Sequence, residues 1–210
     1  MGDGAADSAD TRRLLDEVRG GDRGALDRLL GEYRHYLRTV VELRLDPKLR
    51  ARVDPSDVVQ EAQLEAVRRV DGYLERPVLP FRLWLRQIAF DRLLMARRQH
   101  VEAGRRAIER EAALPDESSI ELAQLALAAG PTPSQQLARH EQAAQVRQAV
   151  AELPEADREI LLMRNFEGLS NLEVSQVLQI DAAAASKRYG RALLRLQKSL
   201  LALGLAGPDA

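Results

Sequence analysis

Apolar residues recur at helical spacing along two stretches of this chain, and the segment between them loses that rhythm. The rhythm is the strongest constraint on the fold. Positions three and four apart share one face of a helix, and an apolar face demands a partner. Composition agrees, since Ala, Leu, Arg and Glu dominate while only 4% of residues are aromatic, which favours helix over sheet. The expectation is an all-α protein of two helical domains joined by a flexible linker, the C-terminal one containing a helix-turn-helix. A length of 210 residues suits two small domains, each with its own core.

The expected divisions are a disordered tail over 1–10, a helical domain over 11–100, a linker over 101–134, a second helical domain over 135–203 and a tail over 204–210. In the first domain, "TRRLLDEVRGG" ends at Gly20-Gly21, and Asp22 is placed to cap "RGALDRLLGEYRHYLRTVVELRL". The connector "DPKLRAR" has room for one helical turn. "DPSDVVQEAQLEAVRRVDGYL" then starts clearly, with Asp54 as cap, Pro55 at the first position and Asp57 in the first turn. Gly72 and "ERPVLP" are expected to break it before "FRLWLRQIAFDRLLMARRQ". "RRAIERE" can extend that helix, whereas "LPDESSIELAQLALAAGPTPS" carries turn formers and acids. The second domain reads as "QQLARHEQAAQVRQAVAEL", "EADREILLMRNF", "NLEVSQVL" and "AAAASKRYGRALLRLQKSL".

Several function classes are excluded or disfavoured. The chain has no cysteine, which removes disulfides and thiolate metal sites, and His35, His100 and His140 lack ligand spacing. No cofactor, metal or small-molecule substrate is expected, and no nucleophile–base pair or phosphate loop marks an enzyme. No apolar run approaches the ~18 residues of a membrane span. The start "MGDGAADSAD" is the opposite of a basic, apolar secretion signal, so a cytoplasmic protein is expected. Bulk charge is silent on partners, with 31 Lys and Arg against 32 Asp and Glu.

The distribution of charge is informative. Ser170 can cap a short helix with Val174, Val177 and Leu178 on one face, Gln179-Ile180 forms a turn with Ile180 as its plug, and Asp181 can cap the next helix. At ~100° per residue Lys187, Arg188, Arg191, Arg195 and Lys198 share one arc, opposite Ala185, Tyr189, Ala192, Leu193, Leu196 and Leu200. From Ala182 to Leu203 the net charge is +5 without one acid, while Glu152 to Glu173 carries −4. A near-neutral domain that segregates charge in this way is expected if one face meets phosphate; the other reading is the solvated face of an amphipathic helix that ends a bundle. Ser186, Lys187, Arg188, Arg191 and Arg195 are the candidate DNA contacts.

Two helices of the first domain carry further patterns. On the helix from Pro55, Val59, Ala62, Ala66, Val67 and Val70 form an apolar stripe, and Asp57, Gln60, Glu61, Leu64 and Arg68 lie away from it. That patch reads either as a solvated face or as an interaction surface. On the following helix Phe81, Leu85, Ile88 and Ala89 form a stripe, and Arg82, Arg86, Arg92, Arg97 and Arg98 crowd the rest. Trp84 and Phe90 are interleaved with these arginines, which suits stacking on single-stranded bases. A lone tryptophan in the core is the alternative.

"DPSDVVQEAQLEAVRRVDGY", "FRLWLRQIAFDRLLMARR" and "LPEADREILLMRNFEGLSNLEVSQVL" together resemble the extracytoplasmic-function group of bacterial sigma factors, in the order and spacing of that family. The resemblance implies that Asp57, Gln60, Glu61 and Leu64 meet the clamp helices of core RNA polymerase. It implies that the loop "LERPVLP" captures a base flipped from the minus-ten element, with Arg82, Trp84, Arg86, Phe90, Arg97 and Arg98 along the separated strand. Ser186, Lys187, Arg188, Arg191 and Arg195 would meet the minus-thirty-five element. Implied partners are core polymerase, through its clamp helices and flap, promoter DNA, and in many relatives an anti-sigma factor. The chain departs from the family pattern at Gln179, where the turn usually has Gly and a left-handed residue costs more. It departs again at Ala183–Ala185 in the recognition helix and at Phe90-Asp91. Two other readings compete: a free-standing helix-turn-helix regulator, and a helical adaptor that binds no nucleic acid.

Overall fold

The computed structural model describes residues 7–45, 47–50, 52–104, 146, 149, 150 and 152–203. The chain divides into two units, Met1–Leu114 and Pro115–Ala210. The described residues are helical and contain no strand, in agreement with the all-α expectation. The expected extension "RRAIERE", the acidic linker segment and most of "QQLARHEQAAQVRQAVAEL" lie outside the described residues.

The first unit holds α1 (Ala9–Arg19), α2 (Arg23–Glu42), the single turn α3 (Pro47–Arg50), α4 (Pro55–Glu75) and α5 (Phe81–Gly104). Local chemistry sets most of the boundaries. Gly20 and Gly21 close α1, the latter at φ 93°, a left-handed conformation that glycine adopts without a steric penalty. Asp22 accepts from the Gly24 N–H at 2.8 Å and Asp54 from the Ser56 N–H at 2.7 Å, each satisfying an orphan donor at its helix start.

The core of this unit is the shared apolar face of α1, α2, α4 and α5, with Leu14, Leu29, Leu37, Val41, Ala66 and Leu85 all buried. At ~1.5–3 kcal/mol for each large side chain fully buried, this face outweighs any propensity term. Fully buried Phe81, the first residue of α5, anchors an aromatic cluster. Its ring lies 5.8 Å from Tyr33, 5.5 Å from Tyr73 and 5.4 Å from Trp84.

Two expectations need correction. Helix α4 does not break at Gly72 but runs to Glu75. Gly costs about 1 kcal/mol inside a helix, and the next residue, Tyr73, repays it by burying its ring and donating its hydroxyl to the Leu79 carbonyl at 3.1 Å. Val67 leaves the apolar stripe and is 46% exposed, while Val58 and Tyr73 complete the buried face.

The second unit holds α6 (Glu155–Asn165), α7 (Asn171–Leu178) and α8 (Ala182–Ala202). Ile160, Leu161, Leu162, Met163, Leu169 and Val174 are buried, and α8 adds Ala185 and Ala192 to them. Small side chains at those two positions allow α8 to pack closely. Leu193, placed on the core side by its spacing, is exposed instead.

Candidate functional site

Helices α7 and α8 with the turn between them form the helix-turn-helix that the caps announced. Ser170 and Glu173 close a reciprocal capping box. The Glu173 N–H donates to Ser170 Oγ at 3.2 Å, and the Ser170 N–H to Glu173 Oε2 at 2.8 Å. Gln179 ends α7 at φ 52°, ψ 43°, and the Ile180 N–H returns to the Ser175 carbonyl at 3.0 Å. The turn therefore does require the left-handed conformation, and this chain meets it without glycine. Asp181 then accepts from the Ala184 N–H at 2.7 Å and starts α8.

Polar bonds hold α8 in its orientation. Asn171 Nδ2 donates to the Ala182 carbonyl at 2.8 Å, and the Tyr189 hydroxyl donates to Asn165 Oδ1 at 3.0 Å. The Arg164 guanidinium lies over the Tyr189 ring at 5.4 Å and donates to the Leu169 carbonyl at 2.7 Å. Arg195 pairs with Asp157, a buried acid in the first turn of α6. These clasps were not read from the sequence, because pairings across helices leave no periodic trace.

Ala182, Ala183, Ser186, Lys187 and Arg191 of α8 are exposed, and Arg188 is half-buried. Among the described residues none of Lys187, Arg188, Arg191 and Lys198 has an acidic partner, whereas Arg195 has one. Within the described residues the basic stripe thus divides into four cations without an acidic partner and one that braces α8 against α6.

On α4, Asp57, Gln60, Glu61 and Leu64 are all exposed and lie together, with Leu64 53% exposed. Val67, three residues on, extends the apolar part of the patch. Gln63 turns the other way and donates to the Leu30 carbonyl at 2.8 Å. Behind the patch, Glu65 ties α4 to α5 through Arg92 at 2.7 Å, and Arg69 and Arg68 of α4 itself lie 2.6 and 3.3 Å from the same carboxylate. Burial pushes the Glu65 carboxyl up, but Arg69, Arg92 and Arg68 outweigh it and hold it below the ordinary range.

The α5 residues are not gathered on one exposed face. Arg98 is exposed and Arg97 half-buried, but Arg86 is buried, which corrects its expected place on the open side of the helix. The half-buried ring of Phe90 has two guanidinium groups over it, Arg44 at 5.7 Å and Arg86 at 5.8 Å. Arg82 is over the Tyr36 ring at 5.2 Å, and Trp84 stacks on Tyr73 at 4.6 Å. Trp84 is therefore half-buried at the rim of the core, a role the sequence left open. No helix among the described residues is long and apolar enough to cross a membrane, and none of their acidic or histidine side chains cluster as a metal site.

Comparison with known proteins fits this arrangement. The family described as Sigma-70, region 4, matches residues 143–196, which include α6, α7 and most of α8. The chain is 31% identical over 190 residues to the RNA polymerase sigma-H factor of Pseudomonas aeruginosa, covering 90% of this chain and 93% of that protein. It is 28% identical over 179 residues to the ECF RNA polymerase sigma-E factor of Escherichia coli, covering 85% and 88% of the two chains. In fold it is similar to CnrH, solved in complex with the cytosolic domain of CnrY, with a TM-score of 0.58 and 20% identity over 92% of this chain and 99% of that one. Two helical units, a capped helix-turn-helix with a basic stripe, and a relative of this identity across nearly the whole chain lead to one assignment: the protein belongs to the extracytoplasmic-function group of the sigma-70 family.

Proposed function

We propose that this protein binds core RNA polymerase and directs it to promoters, where it recognises and melts DNA so that transcription begins. The observation that carries the reading is the 31% identity to a sigma factor across 90% of the chain, which spans both units. The polymerase performs the chemistry, and this subunit selects the start. Its place of action is the cytoplasm, with core polymerase and promoter DNA as partners and an anti-sigma factor as a further class of partner.

The proposed division of labour follows the chemistry of each surface. Asp57, Gln60, Glu61 and Leu64 form an exposed acidic-amide patch with one apolar residue, suited to basic and apolar groups of the clamp helices. Loop 76–80 receives a base from the minus-ten element, and Val78, 79% exposed, offers an apolar wall. Arg82, Trp84, Phe90, Arg97 and Arg98 lie along the separated strand, with Arg86 behind them supporting the Phe90 ring. The N-terminal half of α8 enters the major groove at the minus-thirty-five element. There Ala182 and Ala183 permit close approach, Ser186, Arg188 and Arg191 reach base edges, and Lys187 and Lys198 meet phosphate.

Reconstitution tests the reading. The purified chain should co-elute with core polymerase and direct specific transcription from a promoter of its own genome. Specific duplex binding by a self-associated form with no affinity for polymerase would replace this reading with a free-standing regulator.

A further inference from the structure

Among the described helices α1, α2, α4, α7 and α8 each begin with a cap from the residue just before them: Ser8, Asp22, Asp54, Ser170 and Asp181. Helix α5 cannot do this. Pro80 precedes it, and its carbonyl accepts from the Leu83 and Trp84 N–H groups at 2.9 and 3.0 Å, but its ring offers no acceptor. The cap arrives from 74 residues upstream, where Asp7 Oδ1 accepts from the Phe81 N–H at 2.8 Å.

Asp7 thus bonds to the backbone of the residue that anchors the aromatic cluster. The adjacent Ser8 caps α1 and bonds the Thr11 hydroxyl at 2.9 Å. Thr11 Oγ1 lies 2.8 Å from the Tyr33 hydroxyl, and the Tyr33 ring packs on Phe81. Loop 76–80 is thus held at two points near its downstream end. Tyr73 binds the Leu79 carbonyl, and Asp7 binds the Phe81 amide. Between these and the end of α4 the loop exposes Val78.

We propose that Asp7 is a positioning residue for promoter melting: by capping α5 from outside the local sequence, it holds loop 76–80 and the first turn of α5 in the geometry that receives an unstacked base. The inference rests on the function proposed above and adds to it a working role for the segment ahead of α1. Burial pushes the Asp7 carboxyl up, against the Phe81 and Arg82 amides and the Arg12 charge. Asn keeps the acceptor without a charge to desolvate, so it is the conservative replacement.

The test uses the full chain reconstituted with core polymerase, on a promoter carrying 2-aminopurine in the minus-ten element as a reporter of unstacking. Asp7→Ala should lower the equilibrium constant for melting roughly two- to thirty-fold, the equivalent of one lost N-cap. Asp7→Asn should restore it, and affinity for core polymerase should stay at the wild-type value in both. Circular dichroism of Asp7→Ala and its affinity for core polymerase show whether the variant is folded, and Asp7→Asn covers the case in which it is not. Asp22→Ala removes the α2 cap and should leave melting intact. Wild-type melting by Asp7→Ala, an equal loss from Asp22→Ala, or no recovery with Asp7→Asn overturns the proposal. A wild-type chain that neither binds core polymerase nor melts the promoter instead removes the function on which the proposal rests.

Discussion

Replacing Arg195 with alanine separates structure from recognition along α8. The Asp157 side chain is only 9% exposed, and Arg195, 54% exposed, is its partner. Removing one member of a fully buried pair costs roughly 3–5 kcal/mol because the other charge is stranded. An exposed pair contributes only about 0–1 kcal/mol. With one partner nearly buried and the other half in water, the expected loss is about 1–2 kcal/mol. Thermal unfolding of the second unit should show it, at ~4–8 °C for each kcal/mol in a domain of this size. Asp157→Asn should recover part of the loss when combined with Arg195→Ala, since no charge is then left behind. Promoter binding by the holoenzyme across a salt series supplies the second readout. A phosphate contact contributes about 0.9 to the slope of log K against log salt. Lys198→Ala should therefore reduce the slope by about 0.9, and Arg195→Ala should leave it unchanged. A full-strength slope change with unaltered stability in Arg195→Ala would refute the reasoning and make Arg195 a DNA contact.

Other outcomes follow from single sites. Glu61→Lys, on an exposed patch, should weaken binding to core polymerase while circular dichroism and the unfolding midpoint stay unchanged. Gln179→Gly should stabilise the second unit by about 1 kcal/mol, because glycine takes φ 52° without the Cβ penalty. That gain should appear as a higher denaturant midpoint at constant m-value. The folded Glu65 carboxyl lies below its unfolded value, so its contribution is present above the ordinary glutamate range and is lost as pH falls through the lowered folded value. Glu65→Gln should flatten that acid limb of the stability curve, as followed by urea unfolding over a pH series. Arg188→Ala should weaken binding to the cognate promoter more than to mismatched DNA, measured as a specificity ratio by competition.

What the sequence revealed and what it hid divide along a physical line. Asp22, Asp54, Ser170 and Asp181 were legible as caps because a cap is a bond between near neighbours. The α4 patch and the α8 stripe were legible because an exposed helix face repeats with a fixed period. Gly72 signals a break locally, yet α4 continues through it because burial of Tyr73 offsets the cost of that glycine. Arg86 is buried where its spacing suggests an exposed cation, and Arg195 is exposed as its spacing suggests but paired; the groups that claim them, Phe90 with the surrounding core and Asp157, include contacts no local rule announces. Asp7 was missed for the same reason, its target being 74 residues away. The roles of individual residues at polymerase and DNA came from family resemblance, and local chemistry alone left them open.

The two buried alanines of α8 have an evolutionary consequence. Ala185 and Ala192 fasten the helix to its domain, while Ala182 and Ala183, at its leading end, are exposed. Mutations at that leading end are nearly neutral for folding, so under the proposed promoter contact natural variation there is filtered by the regulon. A duplicated copy of this gene could acquire a new set of promoters one side chain at a time, without first having to gain stability.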